Sequence, residues 1–265
     1  MNDYLKPSKR LGFHPTDKSV GIHPNILITG GTGKLGSELV KIYGAKQLGS
    51  RKMNITDFKS VKRMFDKIKP ELVIHSAAKT LVEQCEYDKE LATEVNVAGT
   101  KNVLEASNKY NARFVYISTP AVFAGEGGPF YEDSKTSPIN HYGLTKLQAE
   151  KLVINSGLDW TIIRTNFINH GRYPYTSAFT DRFSNYLFTN QVANAIKEVE
   201  TSKIRGIVHV TGDKTYSMYD IAKILSPKVK KLTMKEYNGM RNLGNDLRLE
   251  TKRWKKYKLK IPKKN

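Results

Sequence analysis

Short apolar runs alternate with helical patterns along most of the chain. The runs are rich in β-branched residues, which is typical of the buried strands of a parallel sheet. Predicted strands lie at 25–29, 46–49, 71–75, 113–118, 160–164 and 206–210, the second of them weak. Predicted helices lie at 35–44, 57–68, 83–110, 142–156, 188–199 and 217–225. This alternation predicts an α/β fold with a doubly wound parallel sheet and right-handed crossovers.

Two details refine the helices. Thr56 precedes the second helix and is the predicted N-cap, because its hydroxyl can accept a hydrogen bond from a free N–H group of the first turn. The third helical pattern is long, and a break is expected near Asn96.

A glycine turn joins the first predicted strand to the first predicted helix. Gly30, Gly33 and Gly36 give the spacing G-x-x-G-x-x-G. Glycines permit a tight turn and close approach of the backbone to a diphosphate, which the free N–H groups of a helix N-terminus bind. A P-loop is excluded, because Leu35 follows Lys34 where Ser or Thr is required. The candidate residues of this predicted dinucleotide site are Gly30, Thr32, Gly33, Lys34 and Leu35.

The residues that meet the adenosine ribose decide between NAD and NADP. An acidic side chain there hydrogen-bonds the free 2′-hydroxyl of NAD, whereas basic side chains accommodate the 2′-phosphate of NADP. Arg51 and Lys52 follow the weak second strand, and no Asp or Glu occurs between Glu38 and Asp57. We therefore expect NADP(H) to be preferred and NAD(H) to be possible. An ordinary solvated basic loop is the alternative explanation of the two charges.

Tyr142 and Lys146 open the fourth helical pattern. Residues four apart lie on one face of a helix, so the ammonium is expected near the phenol. A free tyrosine titrates at about pH 10. A neighbouring cation lowers that pKa towards the range useful for general acid–base catalysis. Ser118 and Thr119 end a predicted strand, and either hydroxyl is a candidate to hold a reacting carbonyl oxygen.

Seven motifs occur in a fixed order along the chain. They are TGGTGKLG (29–36), NITD (54–57), HSAAKT (75–80), VNVAGTKNV (95–103), YISTPAVFAGEG (116–127), SPINHYGLTK (137–146) and IIRTNF (162–167). Together they resemble the extended short-chain dehydrogenase/reductase superfamily, over about residues 25–225. Within it, the chain is most similar to sugar-nucleotide reductases of the dTDP-4-dehydrorhamnose reductase family. The resemblance implies an NAD(P)-dependent oxidoreductase that acts on a ketone or CH–OH group in dTDP-rhamnose biosynthesis.

The resemblance also implies roles for individual residues. The catalytic trio of the family falls on Thr119, Tyr142 and Lys146, and Asn96 falls where the superfamily has an asparagine that braces the active-site lysine. Tyr142 and Lys146 are expected to contact the cofactor as well. The further cofactor-binding residues that the resemblance implies are Asn54, Ile55, Ala77, Ala78 and Lys79.

The substrate side is predicted less completely. Ser118 and Asn166 are the expected substrate contacts that follow from the resemblance. Charge and chain position make Arg172, Arg241 and Arg248 candidates for binding the diphosphate of a nucleotide-linked sugar.

The implied reaction is hydride transfer from NADPH to the keto group of a nucleotide-linked sugar. Tyr142 would protonate the nascent alkoxide, Lys146 would tune the phenol and hold the nicotinamide ribose, and Thr119 would orient the carbonyl. Pro120 and Ala121, however, replace an Asp and a Tyr that help to shape the sugar pocket of the family. Two alternatives therefore stay open: a non-catalytic NADP-binding regulatory or RNA-associated protein, and a nucleotide-sugar epimerase or dehydratase.

Composition limits the setting of the protein. The single cysteine, Cys85, excludes an intramolecular disulfide framework. The 6 histidines show no metal-ligand spacing, so no metal is expected. No apolar run is long enough to span a bilayer, and the N-terminus lacks the apolar region of a secretory signal. These features favour a cytoplasmic enzyme, for which a homodimer is possible.

Positive charge is concentrated near the C-terminus. Residues 227–265 contain 14 Lys or Arg against 3 Asp or Glu, which is +11 of the net charge of +19. A solvated basic tail explains this excess, and a contact for an acidic partner or RNA is the alternative. The predicted organisation is an irregular N-terminal extension (1–24), an NAD(P)-binding Rossmann domain (25–165), a small substrate lobe partly interleaved with the sheet (166–250) and a basic tail (251–265).

Overall fold

The computed structural model describes residues 25–46, 48–239 and 242–261. Its strands are β1 (Ile26–Thr29), β2 (Leu72–His75), β3 (Arg113–Ser118), β4 (Trp160–Thr165), β5 (Phe167–Ile168), β6 (Ser177–Phe179), β7 (Phe183–Ser184), β8 (Leu187–Phe188), β9 (Gly206–Val210), β10 (Tyr216–Ser217) and β11 (Lys230–Leu232). Its α-helices are α1 (Lys34–Tyr43), α2 (Phe58–Ile68), α3 (Val82–Tyr87), α4 (Lys89–Thr93), α5 (Gly99–Lys109), α6 (His141–Ile154), α7 (Thr189–Thr201) and α8 (Met218–Leu225).

The central sheet has five parallel strands in the order β1-β2-β3-β4-β9. Helices α1 and α7 pack their apolar residues on one face, and α2, α5 and α6 cover the other. Strands covered on both faces must be apolar on both faces, which explains the continuous runs in the sequence. The predicted α/β fold class, a doubly wound Rossmann-like sheet, is confirmed. All five strands end at the same edge, where ligands of such folds bind.

The weak second strand is a wrong prediction. Lys46, Leu48 and Gly49 form no strand, and β1 is the edge of the sheet in the described part of the chain. The backbone N–H of Gly31 donates to the Leu48 carbonyl at 2.8 Å, and the N–H of Met53 donates to Gly49 at 3.0 Å. The predicted span is polar apart from the buried Leu48, so turns around that one apolar anchor replace a strand.

The helix boundaries correct one detail and support another. The N-cap of α2 is Asp57, which accepts from the Lys59 N–H at 2.9 Å, and not the predicted Thr56. The expected break near Asn96 is confirmed as a π-helical turn, Glu94–Ala98, between α4 and α5. Such turns insert an extra residue into a helix and often occur at functional sites.

A small lobe is formed where the chain leaves the carboxyl ends of β4 and β9. Its strands pair as β5 with β8, β6 with β11, and β7 with β10, and α8 packs against them. The segment 242–250 joins the lobe to the loop after β3, because the Asp246 N–H donates to Gly125 at 2.8 Å and the Leu247 N–H donates to Phe183 at 2.9 Å.

The C-terminal segment is packed as far as it is described. Trp254 and Tyr257 contact the apolar cluster beneath α1 and α7, and Leu259 is buried in the lobe. The Tyr257 N–H donates to Thr211 at 3.0 Å. The lysines of residues 251–261 are solvated as expected, but the segment is not a free tail, since apolar residues among them hold it on the fold. The predicted extension at 1–24 lies outside the described residues.

Two kinds of feature are absent from the described residues. No helix among them is both long and apolar enough to cross a membrane. They also contain no group of three or more His, Cys, Asp or Glu side chains suited to hold a metal ion.

Candidate active site

The glycine turn between β1 and α1 is fixed by close backbone contacts. Gly30 has φ +65°, and a Cβ there would lie 2.8 Å from the Cα of Ala77. A Cβ on Gly36 would overlap the carbonyl oxygen of Gly30. No side chain caps α1, whose N-cap is Gly33, so the N–H groups of its first turn are available to an anion. These features fit the diphosphate of a dinucleotide.

The basic turn adjoins the glycine turn. A Cβ on Gly49 would lie 2.8 Å from the Thr32 side chain, so Gly49 is in close contact with the glycine loop. Arg51 and Lys52 follow Gly49 along the chain. Both basic side chains are exposed. This position fits recognition of a phosphate next to the adenosine ribose.

The other predicted cofactor-binding residues of this region differ in whether their side chains are exposed to a ligand. Lys34 is exposed, whereas the Leu35 side chain is buried in the core and leaves only its backbone for a ligand. Asn54 is exposed, and its side-chain oxygen accepts from the Thr56 N–H at 3.2 Å. The side chain of Ile55 is buried against the helix that contains Gly99. Asn54 therefore shapes the turn before α2 through a local hydrogen bond, and Ile55 shapes it through packing.

The loop after β2 is held against α6 by Asn96. Its side-chain oxygen accepts from the Lys79 N–H at 2.7 Å, and its amide nitrogen donates to the Lys79 carbonyl at 3.0 Å. The same amide donates to Thr145 Oγ1 at 3.0 Å. Ala77, two residues earlier, donates its N–H to Thr29 at 3.1 Å, and Ala78 lies half-buried between them. Asn96 thus braces the loop and the neighbour of the lysine, not the ammonium itself.

Thr119 and Tyr142 are brought together at the carboxyl end of β3. Asn140 caps α6 by accepting from the Gly143 N–H at 2.8 Å, and the Ala121 carbonyl packs against the Cα of Gly143. This contact holds the loop after β3 on the first turn of α6. The Thr119 side chain accepts from the Ala121 N–H at 3.2 Å and lies close enough to the phenol of Tyr142 to lower its pKa.

The pKa of Tyr142 is raised to about 12, chiefly because burial disfavours the phenolate. The Thr119 hydroxyl opposes this rise, and the nearby Cys85 adds to it. The expected lowering by Lys146 is therefore wrong for the protein alone, since other neighbours determine the pKa of this phenol.

Lys146 lies beneath the site and is buried. Its ammonium donates to the Ile117 carbonyl at 2.7 Å and lies 4.1 Å from the ring centroid of Tyr116. Burial lowers the pKa of Lys146 to about 7, and the charge of Glu150 partly opposes this. An ammonium that titrates near neutral pH can exchange protons under physiological conditions.

Ser118 does not face the substrate side. Its hydroxyl is buried and donates to Glu150 Oε1 at 2.5 Å. The same carboxylate accepts from Arg164 Nε at 2.9 Å and from Nη2 at 2.7 Å. The predicted substrate contact of Ser118 is therefore wrong, because its hydroxyl binds the carboxylate of the buried Glu150–Arg164 ion pair. Of the two candidate hydroxyls, only that of Thr119 lies at the site.

The remaining predicted substrate residues are spread over the lobe. Asn166 follows β4 and donates to Ser184 Oγ at 2.9 Å, so its amide joins the sheet to the lobe. Arg172 is exposed. Arg248 forms an ion pair with Asp246 at 2.7 Å, which occupies the guanidinium expected to bind diphosphate. Arg241 lies outside the described residues.

Sequence reasoning missed three residues around the lysine. Tyr116 supports the ammonium, and Glu150 and Arg164 form the ion pair beside it. The spacing of Glu150 four residues after Lys146 was an available signal, because it places both on one face of α6. Nothing in the sequence indicated that Arg164 would take up this carboxylate.

Comparison with known proteins gives consistent matches. The family model described as RmlD substrate binding domain matches residues 24–183. Spore coat polysaccharide biosynthesis protein SpsK of Bacillus subtilis is 32% identical over 217 residues, which cover 74% of this chain and 76% of that protein. Methionine adenosyltransferase 2 subunit beta of Xenopus laevis is 29% identical over 232 residues, with 74% and 69% covered.

A solved structure agrees with these matches. The dTDP-4-dehydrorhamnose reductase of Bacillus anthracis, in complex with NADP, superposes with a TM-score of 0.78 at 25% identity. The superposition covers 85% of this chain and 89% of the solved one.

Proposed function

The chain belongs to the RmlD substrate-binding-domain family, and on that premise we propose that it is an NADP-dependent reductase of nucleotide-linked keto sugars. The membership confirms the predicted resemblance to the extended short-chain dehydrogenase/reductases and, at the level of the family, the class of NAD(P)-dependent oxidoreductases. The cofactor, the substrate and the roles of the residues form the content of the proposal.

One observation carries the proposal. The Thr119 hydroxyl lies beside the Tyr142 phenol at the carboxyl edge of the sheet, and the buried Lys146 follows one turn later on α6. The uncapped N-terminus of α1 lies at the same edge. A proton donor, an orienting hydroxyl and a diphosphate site on one edge are the parts that carbonyl reduction with a dinucleotide requires.

The proposed mechanism follows from the protonation states. Bound NADPH supplies the hydride. Tyr142, with a pKa of about 12, is protonated at neutral pH and can donate its proton to the more basic alkoxide oxygen. Thr119 holds the carbonyl oxygen within reach of the phenol, and Lys146 supplies positive charge beneath them. In this protonation state the phenol is ready to act as the acid in the direction of reduction.

The preference for NADP rests on the basic turn. Arg51 and Lys52 are exposed and follow Gly49, which lies against Thr32 of the glycine loop. Two cations without a carboxylate in the same turn suit a 2′-phosphate better than a 2′-hydroxyl. The solved relative in complex with NADP supports the same choice.

The decisive experiment measures NADPH oxidation with a panel of nucleotide-linked 4-keto sugars. Tyr142→Phe is expected to lower kcat by about 10²–10⁴-fold, the range of general acid catalysis, with NADPH affinity nearly unchanged. Tyr87→Phe is the matched control, because the Tyr87 side chain is 96% exposed and its hydroxyl faces solvent. Unchanged turnover in Tyr142→Phe would refute the assigned acid.

A second candidate is an NADP-binding protein that serves as a subunit of another enzyme. It is favoured by the similarity to methionine adenosyltransferase 2 subunit beta. It also accommodates Pro120 and Ala121, which replace the polar pair of the sugar pocket. Tight NADPH binding without oxidation by any keto sugar in the panel would favour this candidate over the reductase.

A further inference from the structure

The ammonium of Lys146 lies over an aromatic face. Tyr116 is in the middle of β3 and is 1% exposed, and Lys146 Nζ lies 4.1 Å from its ring centroid. On the same ring, His75 stacks with a centroid distance of 5.7 Å and an interplanar angle of 26°. Rings in such a stack are held in one orientation, so the face offered to the ammonium is fixed.

The carboxylate nearest in sequence is engaged elsewhere. Glu150, four residues after Lys146 on α6, is held by two hydrogen bonds from Arg164 and one from Ser118. In the described part of the chain no ion pair involves Lys146. Its direct partners are therefore the Ile117 carbonyl and the Tyr116 ring.

We propose that Tyr116 is a positioning residue whose ring face keeps the Lys146 ammonium charged and in place beneath the reacting groups. The negative face of an aromatic ring attracts a cation, most strongly where water is excluded. A role of Tyr116 in catalysis rests on the proposed function, whereas the contact between its ring and the Lys146 ammonium does not depend on that function.

The other titratable groups around the ammonium are neutral or have their charge partly balanced. Burial lowers the pKa of His75 to about 3 and raises that of Tyr116 well above its usual value, so both are neutral at pH 7. The charge of Glu150 is balanced by Arg164 on β4. Tyr142, on the same face of α6, is also neutral, because burial raises its pKa. The ring therefore acts together with the Ile117 carbonyl and the partly balanced charge of Glu150 to oppose the loss of the proton from this buried lysine.

The test compares Tyr116→Phe with Tyr116→Leu in the full chain. NMR of ¹³C-lysine follows the titration of Lys146, whose signal is assigned from its loss in Lys146→Met. Tyr116→Phe keeps the ring and is expected to leave the pKa of Lys146 near its original value. Tyr116→Leu removes the ring face and is expected to lower that pKa by about one unit. An equal pKa in all three proteins overturns the proposal.

A second substitution at position 116 tests the same proposal if Tyr116→Leu does not fold. Pentafluorophenylalanine in place of Tyr116 keeps a ring of similar size and reverses the charge of its face. It is expected to lower the pKa of Lys146 at least as far as Tyr116→Leu, and the pKa found in Tyr116→Phe would again overturn the proposal.

The titration also separates this inference from the reductase function. It needs no substrate, so a shifted pKa without any turnover supports the role of Tyr116 while the proposed reaction fails. If turnover is found, the alkaline limb of the pH–rate profile is expected to move to lower pH in Tyr116→Leu, because the charged form is lost earlier. If the pKa of Lys146 shifts in Tyr116→Leu but the alkaline limb of the pH–rate profile does not move, the catalytic part of the inference is contradicted.

Discussion

Replacement of Arg164 by Met tests the buried ion pair beside the lysine. Arg164 and Glu150 are 3% and 1% exposed, and their two hydrogen bonds measure 2.9 and 2.7 Å. Removing the guanidinium leaves the carboxylate buried with Ser118 as its remaining donor. The expected loss is about 3–5 kcal/mol of the free energy of unfolding. That is a large fraction of the roughly 5–15 kcal/mol typical of a folded domain.

Equilibrium unfolding in urea, followed by tryptophan fluorescence at pH 7.5, measures this loss. The partly exposed surface pair of Arg205 and Asp159 provides the control, and Arg205→Met is expected to cost less than about 1 kcal/mol. The double variant Arg164→Met with Glu150→Gln is expected to recover part of the loss, because no uncompensated charge stays buried. Equal losses in Arg164→Met and Arg205→Met, or a double variant no more stable than Arg164→Met, would refute the reasoning.

The same substitution has an electrostatic consequence at the site. Glu150 already raises the pKa of Lys146 while Arg164 neutralises most of its charge. Without Arg164 the carboxylate is free to act on the ammonium four residues away. The pKa of Lys146 is therefore expected to rise above about 7 in Arg164→Met, and a fall would contradict this account.

Three further predictions follow from packing and burial. Gly36→Ala is expected to abolish NADPH binding measured by fluorescence titration, because its Cβ would overlap the Gly30 carbonyl. Gly44→Ala is the control and is expected to retain NADPH binding, because its Cβ would meet nothing within 4 Å. The pKa of His75 is lowered to about 3, so the unfolded chain takes up a proton at this histidine at a higher pH than the folded chain does. The free energy of unfolding should therefore fall by about 1.4 kcal/mol per pH unit below pH 6.5. Urea unfolding at pH 6.5 and 5.0 should show a smaller fall of this free energy in His75→Gln than in the unsubstituted protein. Leu259→Ala is expected to cost about 2–3 kcal/mol in the same assay, whereas a free tail would give no loss.

Local features of the sequence were sufficient for the framework of the site. The glycine turn after β1 was predicted from the glycine spacing between a strand and a helix, and the structure shows why glycine is needed there, since Gly30 adopts φ +65°. The register of Tyr142 and Lys146 on α6 followed from helical spacing alone. Alternating strands and helices gave the fold class, since parallel strands need crossover helices on their faces.

The tertiary structure decided everything that depends on distant neighbours. Burial raises the pKa of Tyr142, although its neighbour in sequence suggested a fall. Ser118 and Thr119 are adjacent, but the strand turns the first towards Glu150 and leaves the second at the phenol. Trp254 holds a lysine-rich segment against the fold that charge alone described as solvated.

The sequence thus determined which chemical groups are present and which of them are local neighbours, because backbone sterics and helical periodicity act over a few residues. Solvation and long-range pairing were decided only when β3, β4 and α6 packed together. Desolvation is a property of the assembled core, so the charge state of Lys146 and its support by Tyr116 have no signature in the linear chain.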